Sequence, residues 1–294
     1  MRSERAASQW APHPAVTSDG LTLTAWRHGG GSSSPAVLLL HAMFVDSRTM
    51  DHRGAGLGAT LAAEGLDVWR ADLRGRGSAP IRAWTYDDLV RRDLPALVDT
   101  VAERAGRPVV VVGHSLGGHV ALAAVGERRV TVAGLVLVGA NIWRPSHEPE
   151  RAIRLRKSAT MAVFSTLAHA GGRFPARRLG LGTADEAVGY VDDLARFWRT
   201  DAWTSRDGFD WAAALPTVTT PTLSVAGAGD YPEARPHCAR RFVDPVPGAT
   251  SWVVGRGSGL GFDPGHMALV TDPRCAPWWR AAAGWIRGRS RSTT

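Results

Sequence analysis

Six short runs of consecutive apolar residues, each followed by a stretch of helical character, constrain the fold of this chain most. In chain order they are AVLLLHA, LDVWRADLRG, PVVVVGHS, VAGLVLVGA, TPTLSVAGAGD and TSWVVGRG. Continuous valine and leucine runs suit strands that are buried on both faces, and their alternation with helices is typical of a parallel sheet. The sequence therefore predicts an α/β fold with a mostly parallel central sheet flanked by helices.

The segment before the first run has a different pattern. AVTSDGLTLTAW alternates apolar and polar residues across a Ser-Asp-Gly turn, which predicts an antiparallel hairpin at one edge of the sheet. HGGGSSSP follows it and is expected to be a flexible turn.

Two helices are placed by their capping residues. Thr85 with Asp88 offers an N-cap for the first helix, and Pro95 should kink it. Thr183-x-x-Glu186 has the form of a capping box and predicts that a second helix begins there. The residues expected to share one face of this second helix are Val191, Leu194 and Trp198.

Strand-like runs are missing between Asn141 and Pro221, and helical sequence replaces them. We therefore expect residues 142–220 to form a helical cap inserted into an α/β core made of residues 1–141 and 221–294. Most of the large aromatic residues of this insertion should attach the cap to the sheet domain. They are Trp143, Phe164, Phe197, Trp198, Trp203 and Trp211.

The net charge of +8 does not by itself indicate a nucleic-acid-binding protein, because the arginines are scattered among acidic residues and no binding module accompanies them. The basic stretch RAIRLRKSATMAVF has the pattern of a basic amphipathic helix that meets a membrane or lipid droplet, but too few large apolar residues lie on its opposite side, and a solvated face of the cap is expected instead. No apolar run approaches the ~18 residues of a spanning helix, and the first residues lack a signal-peptide core. We therefore expect a cytoplasmic protein without stable membrane insertion.

Cys238 and Cys275 lie far apart in sequence and lack metal-ligand spacing. Both are expected to be structural rather than joined in a disulfide, although the sequence leaves a single disulfide between them open, and no metal site is predicted.

The residues most indicative of chemistry are Gly113-His114-Ser115-Leu116-Gly117, which match G-x-S-x-G between a buried strand and an apolar helix. A sharp strand-to-helix turn would hold Ser115 in a strained backbone conformation, exposed above the sheet edge. The helix N-terminus that follows favours developing negative charge. Ser115 is therefore the candidate nucleophile.

From Val16 to Ile286 the chain resembles the α/β-hydrolase superfamily. The resemblance is carried by the elbow, by LLLHAMF, by DLRGRGSAP, by LSVAGAGD and by FDPGHMALV. It implies that Asp230 is the acid and His266 the base, in the chain order Ser, Asp, His that this fold uses. Asp263 is closer to His266 in sequence, but Asp230 follows a strand, where the family places its acid.

The resemblance also implies an oxyanion hole made by the backbone N–H groups of Met43 and Leu116. This chain has His41-Ala42 where the family has a His-Gly pair, so the match is imperfect there. The DLRGRGSAP turn is assigned to structure, with Asp72 and Arg74 satisfying buried backbone groups or each other. The residues predicted to line a substrate pocket are His41, Phe44, His114, Trp143 and Trp198, although packing is the expected main role of the histidines and tryptophans.

Together these features predict a serine hydrolase that cleaves a small-molecule carboxylic ester with a small to medium apolar acyl group, through an acyl-serine intermediate and without a cofactor. An acyltransferase, a thioesterase or a lactonase would use the same triad, and a binding protein that lost turnover is a further alternative. The sequence leaves the oligomeric state open.

Overall fold

The computed structural model describes residues 10–29, 35–77 and 83–289, so most of the predicted glycine and serine turn lies outside the described residues. The strands are β1 (Ala11–Val16), β2 (Thr22–Gly29), β3 (Ala36–Leu40), β4 (Asp67–Ala71), β5 (Val109–His114), β6 (Gly134–Val138), β7 (Arg173–Phe174), β8 (Glu186–Ala187), β9 (Thr222–Gly227) and β10 (Thr250–Val254). Every predicted apolar run contains one of these strands.

Within the described residues, eight strands form one sheet in the order β1-β2-β4-β3-β5-β6-β9-β10. β1 pairs antiparallel with β2, and β2 pairs antiparallel with β4. All the other pairs in this sheet are parallel. The predicted hairpin at the sheet edge and the mostly parallel α/β fold are therefore confirmed.

Helices connect the parallel strands. The α-helices are α1 (Leu57–Ala63), α2 (Tyr86–Asp88), α3 (Leu94–Ala105), α4 (Leu116–Gly126), α5 (Arg151–Gly171), α6 (Val188–Thr200), α7 (Trp211–Ala214), α8 (Pro236–Val243), α9 (Ala268–Thr271) and α10 (Ala276–Arg289). Single 3₁₀ turns occur at Ser47–Met50, His52–Gly54, Pro145–His147, Leu215–Thr217, Arg256–Ser258 and Pro273–Cys275. No described helix is long and apolar enough to cross a membrane.

Both faces of the central strands β3, β5, β6 and β9 are buried, as the unbroken apolar runs predict, whereas the edge strand β10 is largely exposed and departs from that prediction. In β5, Val109 and Val111 pack into the hydrophobic cluster on one face, whereas Val110 and Val112 pack into the cluster on the other. Alternate side chains of a strand point to opposite faces, so only a strand covered on both sides can be valine throughout.

The first predicted helix begins as expected. The Thr85 hydroxyl accepts from the Asp88 N–H, and the Asp88 carboxylate accepts from the Thr85 N–H, which completes a capping box. The helix then widens into a π-helical turn over Leu89–Asp93, in which the Leu94 N–H reaches the Leu89 carbonyl. The following Pro95 has no N–H to donate, so the irregularity expected at this proline takes the form of a π turn just before it.

The predicted start of the second helix is wrong. α6 begins at Val188, and no side chain caps it. The Thr183 hydroxyl instead donates to Asp46, at 3.0 Å, and the buried Glu186 carboxylate pairs with Arg76. Leaving a buried carboxylate without a cationic partner costs more free energy than leaving a helix N-terminus without a cap. Glu186 therefore pairs with Arg76 instead of capping a helix.

Between β6 and β9 the chain contributes no strand to the main sheet in the part that the structure describes, and it forms α5, α6 and the small β7–β8 sheet. We call residues 142–220 the cap segment. Its aromatic residues pack as predicted, since Phe197 and Trp211 contact Tyr86 and Trp203 contacts Phe242.

A buried ion pair within the cap segment is also bound to the core. Lys157 of α5 donates to the Glu148 carboxylate, which also accepts from the Cys238 thiol of α8 at 3.0 Å. Cys238 and Cys275 are both buried and unpaired, as predicted.

Candidate active site

Ser115 lies at the sharp turn between β5 and α4. Its φ of 51° and ψ of −111° are unfavourable for a residue with a side chain, and such strain costs on the order of 1–3 kcal/mol. Every residue from Val109 to Gly126 is buried except Ser115, which is partly exposed. The turn therefore presents one hydroxyl to solvent from an otherwise buried strand and helix.

The glycines around Ser115 are required by close backbone contacts. A Cβ on Gly113 would lie 2.4 Å from the carbonyl carbon of Gly117, and a Cβ on Gly117 would lie 2.5 Å from the Leu40 Cβ. Real Cβ atoms do not approach other atoms this closely, so neither position tolerates a side chain unless the backbone moves. α4 can begin directly against β5 and β3 only because these residues are glycines.

His266 and Asp230 form a direct pair. His266 Nδ1 lies 2.7 Å from Asp230 Oδ2, and the Asp230 side chain is fully buried while that of His266 is partly exposed. A carboxylate accepts hydrogen bonds, so in the neutral imidazole this contact selects the tautomer with the proton on Nδ1 and the lone pair on Nε2. The second carboxylate oxygen of Asp230 accepts from the Ala234 N–H at 3.0 Å, which fixes the acid in place.

Asp263 does not compete for this histidine. Its Oδ1 accepts from the Arg256 N–H at 2.8 Å, and its side chain is 41% exposed. The structure thus pairs His266 with the acid that follows β9, as the family resemblance implies.

The elbow and the acid–base pair meet at the end of β6. The Ser115 N–H donates to the Val138 carbonyl at 2.8 Å, and a Cβ on the next residue, Gly139, would lie 3.2 Å from both Asp230 Oδ2 and His266 Nδ1. No hydrogen bond joins the Ser115 hydroxyl to His266 among the described residues. Gly139 was not singled out in the sequence, although a glycine directly after a buried strand often marks such a close approach.

His114 supports the loop that carries His266. Its Nε2 lies 3.1 Å from the His266 carbonyl oxygen, and the two rings are 4.8 Å apart. Burial holds the pKa of His114 well below its ordinary value, so the ring stays neutral. A fully buried ring with this contact corrects the prediction that His114 lines a substrate pocket.

The loop after β3, which carries Met43, is fixed to the elbow. The Gly117 N–H donates to the His41 carbonyl at 3.1 Å, and His41 Nε2 accepts from the Leu73 N–H at 3.2 Å. Burial lowers the pKa of His41 to about 3, with a further contribution from the Arg76 charge. His41 is fully buried and bound to backbone, so its prediction as a pocket residue is also corrected.

Phe44, directly after Met43, is held in the left-handed region with φ of 66°. Its N–H donates to the Glu186 carboxylate at 2.7 Å, and its carbonyl accepts from the Ala184 N–H at 2.8 Å. The Glu186 oxygen that accepts from Phe44 also binds the buried Arg76 guanidinium. Sequence reasoning missed Glu186 and Arg76 as supports of this loop.

The remaining predicted pocket residues have packing roles. The Trp198 indole N–H donates to Ser158 Oγ at 2.9 Å within the cap segment. Trp143 donates to the Glu233 carbonyl at 2.8 Å, and Lys157 covers its ring. Phe44 stacks on Phe174 with ring centroids 5.3 Å apart. These contacts favour packing over the substrate contacts predicted for the two tryptophans.

The DLRGRGSAP turn is structural where it is described. Asp72 accepts from the Ser47 N–H at 2.7 Å, which confirms that it satisfies a buried backbone group. Arg74 pairs with Asp93 and Asp19 rather than with Asp72.

Glu148, His237 and Cys238 form one cluster with metal-ligating atoms within 4.8 Å of one another. Lys157 and Arg235 already bind the Glu148 carboxylate. The lysine and the arginine therefore already supply the positive charge that a metal ion would otherwise bring to this carboxylate.

The sheet order, the strained serine elbow and the histidine–aspartate pair define an α/β hydrolase. A family model described as "Serine aminopeptidase, S33" matches residues 31–199, more than half of the chain. The chain therefore belongs to this family of α/β hydrolases.

Curated relatives match shorter stretches. "Triacylglycerol lipase 2" of Arabidopsis thaliana is 30% identical over 138 residues, which cover 40% of this chain and 33% of the lipase. An "AB hydrolase superfamily protein" of Gibberella zeae is 35% identical over 120 residues, which cover 40% of this chain and 39% of that protein. The matched stretches thus span less than half of these relatives.

Solved structures are similar over nearly the whole chain. An esterase from Thermogutta terrifontis has a TM-score of 0.60 and 20% identity, and the match covers 95% of this chain and 99% of the esterase. An esterase from Exiguobacterium antarcticum has a TM-score of 0.64 and 17% identity, covering 94% and 99% of the two chains. At such identities the likeness is one of fold.

The close contacts at the elbow predict that Gly117→Ala lowers the free energy of unfolding by about 3 kcal/mol, because the new Cβ forces α4 away from Leu40. Gly126→Ala, at the other end of α4, is the matched control. Its Cβ would meet nothing closer than 3.6 Å, so it should leave stability unchanged or raise it by about 0.5–1 kcal/mol. Urea unfolding followed by tryptophan fluorescence measures both, and equal effects would contradict the packing account.

The buried pair beneath the Met43 loop predicts that Glu186→Gln lowers the free energy of unfolding by about 3 kcal/mol, because Arg76 is left buried without a counter-charge. Adding Arg76→Met should recover most of this loss, since both charges are then removed.

Glu103→Gln, at an exposed position of α3, is the control for the same chemical change and should shift stability by less than about 0.5 kcal/mol. Urea unfolding of the wild type and these three variants measures the differences. A Glu186→Gln loss no larger than that of the control would show that the pair does not support this loop.

Proposed function

We propose that this chain is a serine hydrolase that cleaves carboxylic esters through an acyl-serine intermediate. In this proposal Ser115 is the nucleophile, His266 its general base and Asp230 the acid that orients the histidine. The observation that carries it is the 2.7 Å contact between His266 Nδ1 and Asp230 Oδ2 beside a strained, solvent-reachable serine. A pure binding role would require neither the pairing nor the strain.

The first half of the reaction forms the acyl-enzyme. Ser115 Oγ attacks the ester carbonyl carbon while its proton passes to His266 Nε2, whose lone pair is available because Asp230 holds the proton on Nδ1. Serine–histidine hydrogen bonds of this kind commonly tighten only when substrate is bound. The imidazolium then returns the proton to the departing alcohol, and the C–O ester bond breaks.

The second half releases the acid. Water attacks the acyl-serine carbonyl, His266 accepts the water proton, and the same proton returns to Ser115 Oγ as the carboxylic acid leaves. In both halves the carbonyl oxygen becomes an oxyanion that accepts from the N–H groups of Met43 and Leu116. The hydrogen bond from the Gly117 N–H to the His41 carbonyl supports this assignment, because it holds the loops of the two donors together.

The ester class is supported by the names of similar proteins, which are lipases and esterases. We further propose that the acyl group is small to medium in size and apolar, and that residues 142–220 act as a cap beside the reaction centre. In support, Phe44, next to the proposed donor Met43, packs against Phe164 and Phe174 of the cap segment.

A series of p-nitrophenyl esters of rising chain length tests the proposal with the wild type and Ser115→Ala in parallel. The wild type should turn over, with the highest kcat/KM at a short to medium chain. Ser115→Ala should lower kcat by a factor of ~10³ or more, because the nucleophile is lost. Equal rates in the two proteins would overturn the assignment of Ser115.

The assignment of the acid is tested with a matched pair of substitutions. Asp230→Asn should lower kcat by a factor of ~10³–10⁴, because an amide no longer selects the productive histidine tautomer. Asp263→Asn makes the same chemical change three residues before His266 and should leave kcat unchanged, since Asp263 binds the Arg256 N–H. If Asp263→Asn abolishes turnover and Asp230→Asn does not, the assignment is wrong.

A further inference from the structure

The cap segment contains a stretch with one sign of charge. From Arg151 to Thr183 the chain has seven basic residues and no aspartate or glutamate. The stretch comprises α5, β7 and the loop that leads to β8. Arginines are mixed with acids along most of the chain, and the stretch after Asp272, with five arginines, also lacks acids.

The same stretch exposes large apolar side chains. Leu155 is 62% exposed, Val163 53%, Leu179 47% and Leu181 50%, and these are half of the eight strongly exposed large apolar residues in the described part of the chain. Exposed apolar residues normally occur singly, and a group within one short segment indicates a contact surface.

The outer face of α5 is apolar along several turns. Ile153, Lys157 and Met161 form the buried face. The opposite face is exposed and has side chains at helical spacing: Leu155, Ala159, Ala162, Val163, Thr166 and Ala170. Helix faces that contact only water are normally polar. The composition of this face therefore indicates that it contacts something other than water.

Several arginines of the stretch are exposed and are not neutralised by an acid of the described chain. Lys157 is bound by Glu148 and Arg173 by Asp185, so two of the seven charges are neutralised locally. Arg151, Arg177 and Arg178 are exposed, and none of them makes an ion pair with an acid among the residues that the structure covers. Arg156 only covers the exposed ring of Tyr231, with its guanidinium carbon 5.6 Å from the ring centroid.

We propose that the outer face of α5 and the loop of residues 177–182, together the basic apolar face, dock on an anionic lipid surface. Leucine and valine side chains would enter the boundary between headgroups and acyl chains, while the arginines bind lipid phosphates. A nucleic acid would use the arginines but leave the exposed leucines and valine in water. The docking is peripheral and does not rest on the proposed ester-hydrolase function.

The helix and the loop that bear this face also lie beside the candidate active site. Phe164 of α5 packs edge-on against Phe44, with ring centroids 5.6 Å apart, and Phe44 directly follows the proposed oxyanion donor Met43. Gly182, at the end of the loop, is so close to the Phe44 carbonyl that a Cβ there would lie 2.2 Å from it. α5, through the side opposite its outer face, and the end of the loop of residues 177–182 therefore both contact the loop that carries Met43.

Vesicle co-sedimentation of the full chain tests the proposal. Vesicles of phosphatidylcholine with about one third phosphatidylglycerol should bind the protein, vesicles of phosphatidylcholine alone should bind it much more weakly, and added salt should weaken the binding. Ser115→Ala should bind like the wild type, because docking does not use the nucleophile. Equal binding to both kinds of vesicle, or to neither, would overturn the proposal.

Two variants separate the contributions of charge and apolar contact. Arg151→Gln/Arg177→Gln/Arg178→Gln should weaken binding about 100-fold, since each arginine near an anionic surface contributes about fivefold. Leu155→Ser/Val163→Ser should also weaken it, because less apolar area is buried. Arg53→Gln/Arg128→Gln/Arg240→Gln changes three exposed arginines elsewhere and should bind like the wild type.

Duplex DNA is the competing ligand in the same assay. If DNA displaces the vesicles and the leucine and valine substitutions have no effect, the face is a general polyanion site and the lipid proposal is wrong. An equal loss of binding in the control triple variant would also overturn it, because the attraction would then come from net charge alone. Circular dichroism of each variant shows that a loss of binding is not a loss of fold.

Discussion

The close contact between the start of α4 and the strands β5 and β3 is the constraint on which the rest of the candidate site depends. Gly113 and Gly117 allow the helix backbone to lie directly against these strands, and the Gly117 N–H then reaches the His41 carbonyl. This contact fixes the serine, the helix N-terminus and the loop of Met43 relative to one another. A larger residue at either glycine would separate the groups that are proposed to act on one carbonyl.

The other side of the site is built from loops that follow β9 and β10. Their positions are fixed mainly by backbone contacts, since the Ala234 N–H binds Asp230 and the Gly229 N–H binds the Pro264 carbonyl. The buried rings of His41 and His114 add hydrogen bonds to backbone beneath the site. Burial lowers the pKa of both histidines, so they stay neutral and place no permanent charge beside the acid–base pair.

Much of the fold could be predicted because the determining patterns are local. A strand buried on both faces has to be apolar at every position, and the elbow has to be glycine-rich, so both are visible in short windows of sequence. The cap was harder to predict. Thr183 and Glu186 have the spacing of a capping box, but their partners Asp46 and Arg76 lie more than a hundred residues away in sequence. Long-range electrostatic pairing of this kind leaves no local pattern.

The loop that carries Asp230 is bound to the cap segment as well as to the core. The Glu233 carbonyl accepts from Trp143, and Arg235 pairs with Glu148 and Glu150. The cap of this protein is therefore not an independent module. Exchanging it for the cap of another α/β hydrolase would remove three partners of the loop that carries Asp230. A cap exchange made to alter substrate range would therefore also shift the proposed acid relative to His266.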